Sequence, residues 1–220
     1  MKDTQMKTRL FQSLVAASAL LVLGGCDTEQ AETTCRAASL VPFATRFTPT
    51  TAVPAGTACA SPGQLIALAS YDPPGATLPS LAVSLSDITT YPLDGSDPAI
   101  AQGQFTAKVT DPATSTCSVP TLTPLVSETL TYAFSNMELL VSAANQGTQM
   151  KADLTITDSA EGCTASYEVL GLWPEVPCEA DEECGEGSGI NPDLFDSISC
   201  NTDIGYCMLN GNDFVKTGDN

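Results

Sequence analysis

The sequence contains no histidine, and it has only eight lysine and arginine residues against 26 aspartate and glutamate residues. The lack of histidine excludes every Ser-His and Cys-His nucleophilic arrangement, because those arrangements need an imidazole as general base. A formal net charge of −18 repels phosphate backbones, so we predict no nucleic-acid partner. No apolar run reaches the roughly 20 residues that a membrane-spanning helix needs.

Other catalytic signatures are missing as well. The sequence has no G-x-S-x-G nucleophile motif and no C-x-x-C redox pair. A pair of carboxylates could still serve a glycosidase, and Asp87 is in phase with apolar strand positions, although we interpret it as a turn residue at a strand end. We therefore predict that the protein is not an enzyme and binds no cofactor.

The N-terminus has the order of an export signal. Basic residues at Lys2, Lys7 and Arg9 precede an apolar run over residues 14–23, and small residues follow it. The end of this segment, Leu23-Gly24-Gly25-Cys26, resembles the lipobox of bacterial lipoproteins.

That resemblance implies cleavage before Cys26, a diacylglycerol on its sulfur and an acyl group on its amine. Residues 1–25 would be the signal peptide. Residues 26–34 are polar and acidic without an apolar period, so we interpret them as a flexible tether.

The cysteine count supports this interpretation independently. There are nine cysteines, and an exported chain rarely leaves one unpaired. If Cys26 carries the lipid, an even number remains for disulfides in an oxidising compartment. The remaining cysteines are Cys35, Cys59, Cys117, Cys163, Cys178, Cys184, Cys200 and Cys207.

Lipidation implies a location in the cell envelope, held to a membrane through Cys26. Asp27 resembles an inner-membrane retention signal of enterobacteria, but we favour the outer membrane, on its periplasmic face or at the cell surface. The expected role is binding or envelope structure, with an unknown protein or glycan partner.

Residues 35–173 are dominated by strand patterns. Apolar and polar side chains alternate in five runs separated by Pro-, Gly- and Asp-containing turns, which indicates half-buried antiparallel strands. We predict an all-β fold of about seven to nine strands, an antiparallel sandwich or barrel-like domain followed by a small disulfide-rich module. The inward residues of the runs are Leu81, Val83 and Leu85; Phe105, Ala107 and Val109; Leu130, Tyr132 and Phe134; Met150, Ala152, Leu154 and Ile156; and Cys163, Ala165, Tyr167 and Val169.

Three further stretches are less regular. Residues 39–47 could form an edge strand, since Pro42 is tolerated only at an edge. Residues 64–69 and 137–144 are ambiguous. The second stretch could form a turn or two of helix, but its short, loop-bounded form favours strand. For the disulfides, we expect Cys163 to pair with Cys117 and Cys35 with Cys59, among about 100 arrangements that the sequence allows.

Composition changes at Pro174 and Pro177, and residues 174–220 form a cysteine-rich acidic module. A segment this short needs cross-links because it cannot bury a sufficient core. It resembles the small C-x-x-D-x-[DE]-C modules of exported myxobacterial proteins. The matching residues are Cys178, Asp181, Glu183, Cys184, Cys200, Gly205 and Cys207. For this module we predict alternating pairs, Cys178 with Cys200 and Cys184 with Cys207.

The acidic cluster at the start of the module leaves an alternative open. Flexible acidic loops suit calcium, which would make the module a calcium-dependent adhesion or binding site, but no EF-hand spacing is present and a solvated acidic face is favoured. Zinc is disfavoured because the cysteine spacing is wrong and the compartment oxidises thiols, so we predict no metal site. The acidic cluster consists of Glu175, Glu179, Asp181, Glu182, Glu183 and Glu186.

Trp173 could bind a sugar, but packing is the commoner role of a single tryptophan in such a position.

Overall fold

The computed structural model describes residues 33–38, 42–85 and 99–217, and its contacts group the chain from Thr33 onwards into one compact unit. The signal peptide, Cys26, most of the predicted tether and Asp87 lie outside the described residues. In the described part, no helix is both long and apolar enough to cross a membrane.

The described chain is almost entirely β-structure, which confirms the predicted fold class. Its main sheet has nine strands in the order β4-β3-β2-β1-β9-β8-β7-β5, with β6 also paired to β7, and every pairing is antiparallel. The strands are β1 Phe43–Pro49, β2 Gly63–Tyr71, β3 Ser80–Ser84, β4 Ile100–Gln104, β5 Thr116–Thr121, β6 Leu125–Ser127, β7 Leu130–Val141, β8 Gln146–Asp158 and β9 Cys163–Leu172.

The two ends of this sheet meet, so it is barrel-like. Gly103 of β4 bridges Leu122, just after β5, and the Thr123 N–H donates to the Gln102 carbonyl at 2.8 Å. A Cβ atom on Gly103 would lie 2.5 Å from the Thr121 carbonyl oxygen and from a Val119 methyl carbon. The missing side chain therefore lets the two edges approach, which pairs backbone groups that an open edge would expose.

One predicted strand is wrong in position. The alternation at Phe105, Ala107 and Val109 predicts a strand, but the regular strand β4 ends at Gln104. Phe105 is buried as predicted, whereas Ala107 is exposed. After Phe105 the chain leaves the sheet: the Thr106 N–H donates to the Ser118 carbonyl, and Val109 pairs with Thr34 of the N-terminal segment.

The prediction that residues 39–47 form an edge strand is also wrong, both in where the strand begins and in its place in the sheet. β1 begins at Phe43, after Pro42, and lies between β2 and β9 in the interior of the sheet. Pro42 precedes the strand and therefore removes no donor from its ladder. Residues 39–41 lie outside the described part. The two ambiguous stretches are strands: one lies within β2, and the other forms the second half of β7, up to Val141.

The barrel interior is filled by the inward members of the alternating runs. In β9 the side chains of Ala165, Tyr167 and Val169 are buried, whereas Thr164 and Glu168 are exposed. The Tyr167 hydroxyl donates to the Cys59 carbonyl at 2.6 Å, so the polar end of the ring is satisfied inside the core. This is the one-sided burial that an antiparallel sheet with a solvated outer face requires.

The C-terminal module follows Pro174 and is small. It contains two short 3₁₀ helices, Asp181–Cys184 and Pro192–Ser197, and the two-stranded sheet of β10, Ile198–Asn201, with β11, Tyr206–Leu209. Asn191 caps the second helix, since its side chain accepts from the Asp193 N–H at 3.1 Å and Pro192 opens the first turn.

Replacing Gly147 with alanine is expected to destabilise the fold by about 3 kcal/mol. Gly147 has a φ of 72°, and a Cβ there would collide with the Arg36 carbonyl and lie 2.9 Å from the Ala37 Cα. Gly162→Ala is the matched control: its φ is 67°, but its Cβ would have nothing within 4 Å, so about 1 kcal/mol is expected. Urea unfolding of both variants measures the difference, and equal losses would show that residues 36–37 do not pack tightly on Gly147.

Candidate functional site

The eight cysteines after Cys26 all form disulfides. The alternating pairs predicted for the module, Cys178–Cys200 and Cys184–Cys207, are confirmed. The two pairs predicted for the β-rich part are wrong, because Cys163 does not bond Cys117 and Cys35 does not bond Cys59. The observed pairs are Cys35–Cys117 and Cys59–Cys163.

Loop crossings explain both corrections. The chain between β1 and β2 passes over the end of the sheet where β9 begins, and the Thr50 N–H donates to the Ser166 carbonyl at 2.8 Å. This path brings Cys59 next to Cys163. At the N-terminus, the Cys35 N–H donates to the Lys108 carbonyl at 2.8 Å, which places Cys35 beside the strand that carries Cys117. These contacts join residues that are distant in sequence, so spacing along the chain carries no signal for them.

The acidic cluster of the module is partly used for internal hydrogen bonds. An Asp181 carboxylate oxygen accepts from the Cys200 N–H at 2.8 Å, and Glu183 accepts from the Glu179 N–H at 2.6 Å. Among the described residues, no three carboxylates of this cluster gather their oxygens within 4.8 Å. Within the described ranges, close groupings of potential metal ligands all include disulfide-bonded cysteines, such as Cys178, Cys184 and Cys207.

Trp173 packs as predicted. Its indole is half-buried against the main core, and its backbone N–H donates to the Thr148 carbonyl at 2.8 Å. The residue is therefore part of the barrel.

A second group of carboxylates lies on the outer face of the barrel, where the sequence does not single them out. Asp153 of β8 and Glu168 of β9 are register partners, and the Asn136 amide donates to Asp153 at 2.7 Å. Asn136 sits at a bulge in β7 with a φ of 48°. With Glu138, these residues line a hollow of about 280 Å³, which offers acceptors to polar groups.

The outer face also carries an apolar patch next to these carboxylates. Leu170 and Leu172 point outward from the end of β9, yet both are buried, because they share a second core with the module. The module contributes Ile190, Leu194 and Leu209, together with the half-cystines, to this core. Packing therefore holds the module to the barrel, whereas its two disulfides cross-link the module internally.

Beyond β11 the chain crosses the outer face of the barrel, and residues 211–217 are termed the C-terminal strap. Arg46 of β1 holds its beginning: the guanidinium donates to the Leu209 carbonyl at 3.0 Å, to the Gly211 carbonyl, and to the Asn212 side chain at 3.1 Å. Two of these three acceptors, the Gly211 carbonyl and the Asn212 side chain, belong to the strap.

Side chains of strand β8 contact the middle of the strap. Lys151 forms an ion pair with Asp213 at 2.9 Å, and its ammonium lies 5.5 Å from the ring centroid of Phe214. The Gln149 carboxamide makes two hydrogen bonds to the backbone of Val215, at 2.7 and 2.8 Å. At the end of the strap Thr217 is buried, and its hydroxyl donates to the Asn145 side chain at 3.1 Å and accepts from the Asn191 amide of the module at 3.3 Å. The strap pairs with no strand of the main sheet, so side chains make these contacts.

Comparison with known proteins decides the family. The sequence model of the MlpA family matches residues 41–174, which is more than half of the chain. The chain belongs to the MlpA family. A Myxococcus xanthus protein named "Putative lipoprotein MlpA" is 28% identical over 226 aligned positions, covering 90% of this chain and 94% of that protein. No solved structure matches the chain.

Membership of the MlpA family confirms the resemblance to bacterial lipoproteins that the sequence predicts. The family match begins just before β1 and ends at Pro174, so it covers all nine strands of the barrel. The similarity to the M. xanthus protein extends over most of the chain, including much of the sequence outside that match.

In this member of the MlpA family, the barrel residues that contact the module and the strap were not predicted from the sequence. One signal was present: the outward positions of β9 are polar at Thr164, Ser166 and Glu168, and then become apolar at Leu170 and Leu172. A change from one-sided to two-sided apolar character indicates a strand end covered on both faces. Arg46, Gln149 and Lys151 gave no such signal, because isolated polar residues on an outer face are expected to face solvent.

The strap of this member of the MlpA family is expected to loosen in acid. The Lys151 ammonium and the Phe214 N–H hydrogen-bond to Asp213 and lower the pKa of its carboxyl below the ordinary value of 3.8. A lowered folded pKa means that the stabilisation is complete above the unfolded pKa and is lost as pH falls through the folded value. Amide protection of Val215 should therefore decrease between about pH 5 and pH 3.

Asp213→Asn tests this pH dependence. The asparagine variant keeps the size of the side chain but loses the titrating charge, so its Val215 protection factor should be low and nearly the same at both pH values. Equal acid-induced losses of protection in the wild type and in Asp213→Asn would contradict the assignment to Asp213.

Proposed function

We propose that the protein is cut before Cys26, lipidated on that residue and anchored in the outer membrane, where it has a non-enzymatic binding or envelope-structural role. Residues 1–25 serve as the signal peptide and residues 26–34 as the tether. A protein or glycan is the partner in this proposal.

The disulfide pattern is the observation that carries the anchor. All eight cysteines from Cys35 onwards are bonded to one another, so Cys26 has no cysteine left to pair with. An exported protein of an oxidising compartment rarely retains a free thiol. A thioether to diacylglycerol accounts for the odd cysteine, and the preceding Leu23-Gly24-Gly25 fits that processing.

The binding role is supported by where the polar side chains are concentrated. The outer face of β7, β8 and β9 presents Glu138, Lys151, Asp153 and Glu168 around a hollow, where the carboxylates can accept hydrogen bonds from a partner and Lys151 can donate them. The absence of histidine in the sequence and of the catalytic motifs considered above supports a role without chemistry. The four disulfides suit a rigid scaffold exposed to an oxidising exterior.

Cys26→Ser tests the anchor. Each buried CH₂ of an acyl chain contributes about 0.8 kcal/mol, so several chains hold a protein essentially permanently, and their loss should move nearly all of it from the membrane to the soluble fraction. Thr28→Ser, two residues further along the tether, is the control and should remain with the membrane. A Cys26→Ser protein that still sediments with membranes and still partitions into detergent would rule out this anchor.

A further inference from the structure

The barrel has a charged side and an uncharged side. The neighbouring strands β1, β9, β8 and β7 all carry charged residues. The other five strands, β2 to β6, contain no aspartate, glutamate, lysine or arginine. The two sides therefore suit different surroundings. The charged residues of the first group are Arg46, Glu138, Lys151, Asp153, Asp158 and Glu168.

The uncharged side is exposed along β5 and β6, beside the seam where the sheet closes between β4 and β5. No charged residue occurs between Asp111 and Glu128 in the sequence. Leu125 points inward and is buried, whereas Val126 points outward and is 40% exposed. The outward side chains of residues 118–127 are termed the seam face. Its fully exposed members are Pro120, Thr121, Thr123, Pro124, Val126 and Ser127.

The N-terminal segment is fixed next to this face. The Thr33 carbonyl accepts from the Thr110 N–H at 2.9 Å, in the connection from β4 to β5. Two residues later, Cys35 forms its disulfide with Cys117 of β5. Thr33 is therefore held on the seam side of the barrel.

The distance from Thr33 to the proposed lipid is limited by covalent geometry. Seven residue steps separate Cys26 from Thr33. A chain spans at most about 3.5 Å per residue, so the sulfur of Cys26 lies within about 25 Å of Thr33 whatever the path between them. The membrane that holds Cys26 is consequently close to the seam side.

The cysteine-rich module lies on the opposite side of the barrel. Around the closed sheet, β1 is the fourth strand from the seam in one direction and β9 is the fourth in the other. The module packs on Leu170 and Leu172 of β9, and Arg46 of β1 hydrogen-bonds to the Leu209 carbonyl of β11. The acidic cluster of the module is thus carried on the side away from Thr33.

We propose that the seam face lies against the headgroups of the membrane that holds Cys26, and that the module is presented away from that membrane. A carboxylate loses hydration next to a lipid surface, and anionic lipids repel it, so an uncharged surface approaches at the lowest cost. The inference rests on the lipid anchor proposed above and deepens it, because it names the surface of the barrel that meets the lipid.

Energy transfer from a single tryptophan tests which side meets the lipid. Trp173 is the one tryptophan of the sequence, so Trp173→Phe gives a background into which Val126→Trp or Thr164→Trp is introduced. Thr164 is exposed on the charged side. Both positions lie on one line across the sheet, since Val126 pairs with Thr131, Thr131 with Thr157 and Thr157 with Thr164. Three strand spacings separate them, which is about 14 Å along the sheet.

The lipidated full-length variants are reconstituted at low density into phosphatidylcholine vesicles that contain dansyl-phosphatidylethanolamine as acceptor. Transfer from Val126→Trp is expected to be at least about twofold more efficient than transfer from Thr164→Trp, because transfer falls steeply over such a difference in distance. Adding Cys26→Ser should abolish transfer from both donors.

Equal transfer from the two donors, or stronger transfer from Thr164→Trp, in protein that floats with the vesicles would overturn this inference and leave the lipid anchor standing. Protein that does not float with the vesicles would overturn both proposals. Cross-linked dimers joined through the seam face at low protein density would make a second copy its occupant, which would also overturn the inference.

Lysine acylation provides a test without tryptophan variants. Lys108 is exposed beside Thr33, and its carbonyl accepts from the Cys35 N–H, whereas Lys151 lies on the charged side. A water-soluble acylating reagent should modify Lys108 at least about twofold more slowly in the vesicle-bound wild type than in soluble Cys26→Ser, because headgroups occupy one side of its surroundings. The rate at Lys151 should be the same in both. Unchanged rates at Lys108 in floating protein would contradict the proposed orientation.

Discussion

Replacing Cys59 and Cys163 together with alanine is expected to lower the free energy of unfolding by about 4 kcal/mol. This disulfide joins residues 104 apart in sequence, so its loss frees a long loop in the unfolded chain. Cys59 and Cys163 are both buried, and the Cys59 carbonyl accepts the Tyr167 hydroxyl, so the bond also holds the loop between β1 and β2 over the core. Guanidinium unfolding without reductant measures the loss.

The module disulfide Cys178–Cys200 is the comparison for this prediction. Its residues are only 22 apart, so the same entropic argument gives about 3 kcal/mol for Cys178→Ala/Cys200→Ala. The long-range pair should therefore be the more costly of the two. A Cys59/Cys163 variant with wild-type stability would mean that the loop between β1 and β2 is held by its hydrogen bonds alone.

Leu172→Ala is expected to cost about 3 kcal/mol and to loosen the module from the barrel. Leu172 is fully buried between β9 and the module, so truncation removes methyl groups from a packed core and leaves a cavity. Amide protection in β10 and β11 should fall further than in β8, because the second core is the surface on which the module rests.

Thr164→Ala is the matched control, since Thr164 lies on the same outer face of β9 but is exposed. Its effect should stay within about 0.5 kcal/mol. If Leu172→Ala were equally mild, the module would be held only by the chain connection and the polar contacts of the strap.

Local patterns predicted the long strands of this fold and the short β3, and they missed or misplaced β4, β5 and β6 for identifiable reasons. β7, β8 and β9 are each at least 10 residues long and bury alternate side chains over part of their length, which makes their period visible in the sequence. β6 has only three residues, and β5 includes Pro120. β4 contains Gly103, which is required where the sheet closes, and this contact depends on the other end of the barrel.

The candidate site was less accessible to prediction than the fold. The disulfides of the module follow an order along the chain, and their pairing was predicted correctly; the barrel disulfides depend on loops that cross the ends of the sheet. The strap could not be predicted, because its contacts with Arg46 and Lys151 join residues more than 60 positions apart. In the sequence, an isolated Arg or Lys on a strand cannot be distinguished from an ordinary solvent-facing residue, because the position of the strap that it contacts is not known.

Family membership and the motif before Cys26 lead to one chemical claim, that this cysteine carries lipid. Mass spectrometry of the N-terminal tryptic fragment tests it most directly. Arg36 is the first basic residue after position 25, so reduced protein extracted in detergent would yield residues 26–36 as one fragment. The predicted result is a fragment that begins at Cys26 and has the added mass of a diacylglyceryl group and an N-acyl chain. A fragment that begins at Leu10, after Arg9, or that contains an unmodified Cys26 would contradict the account.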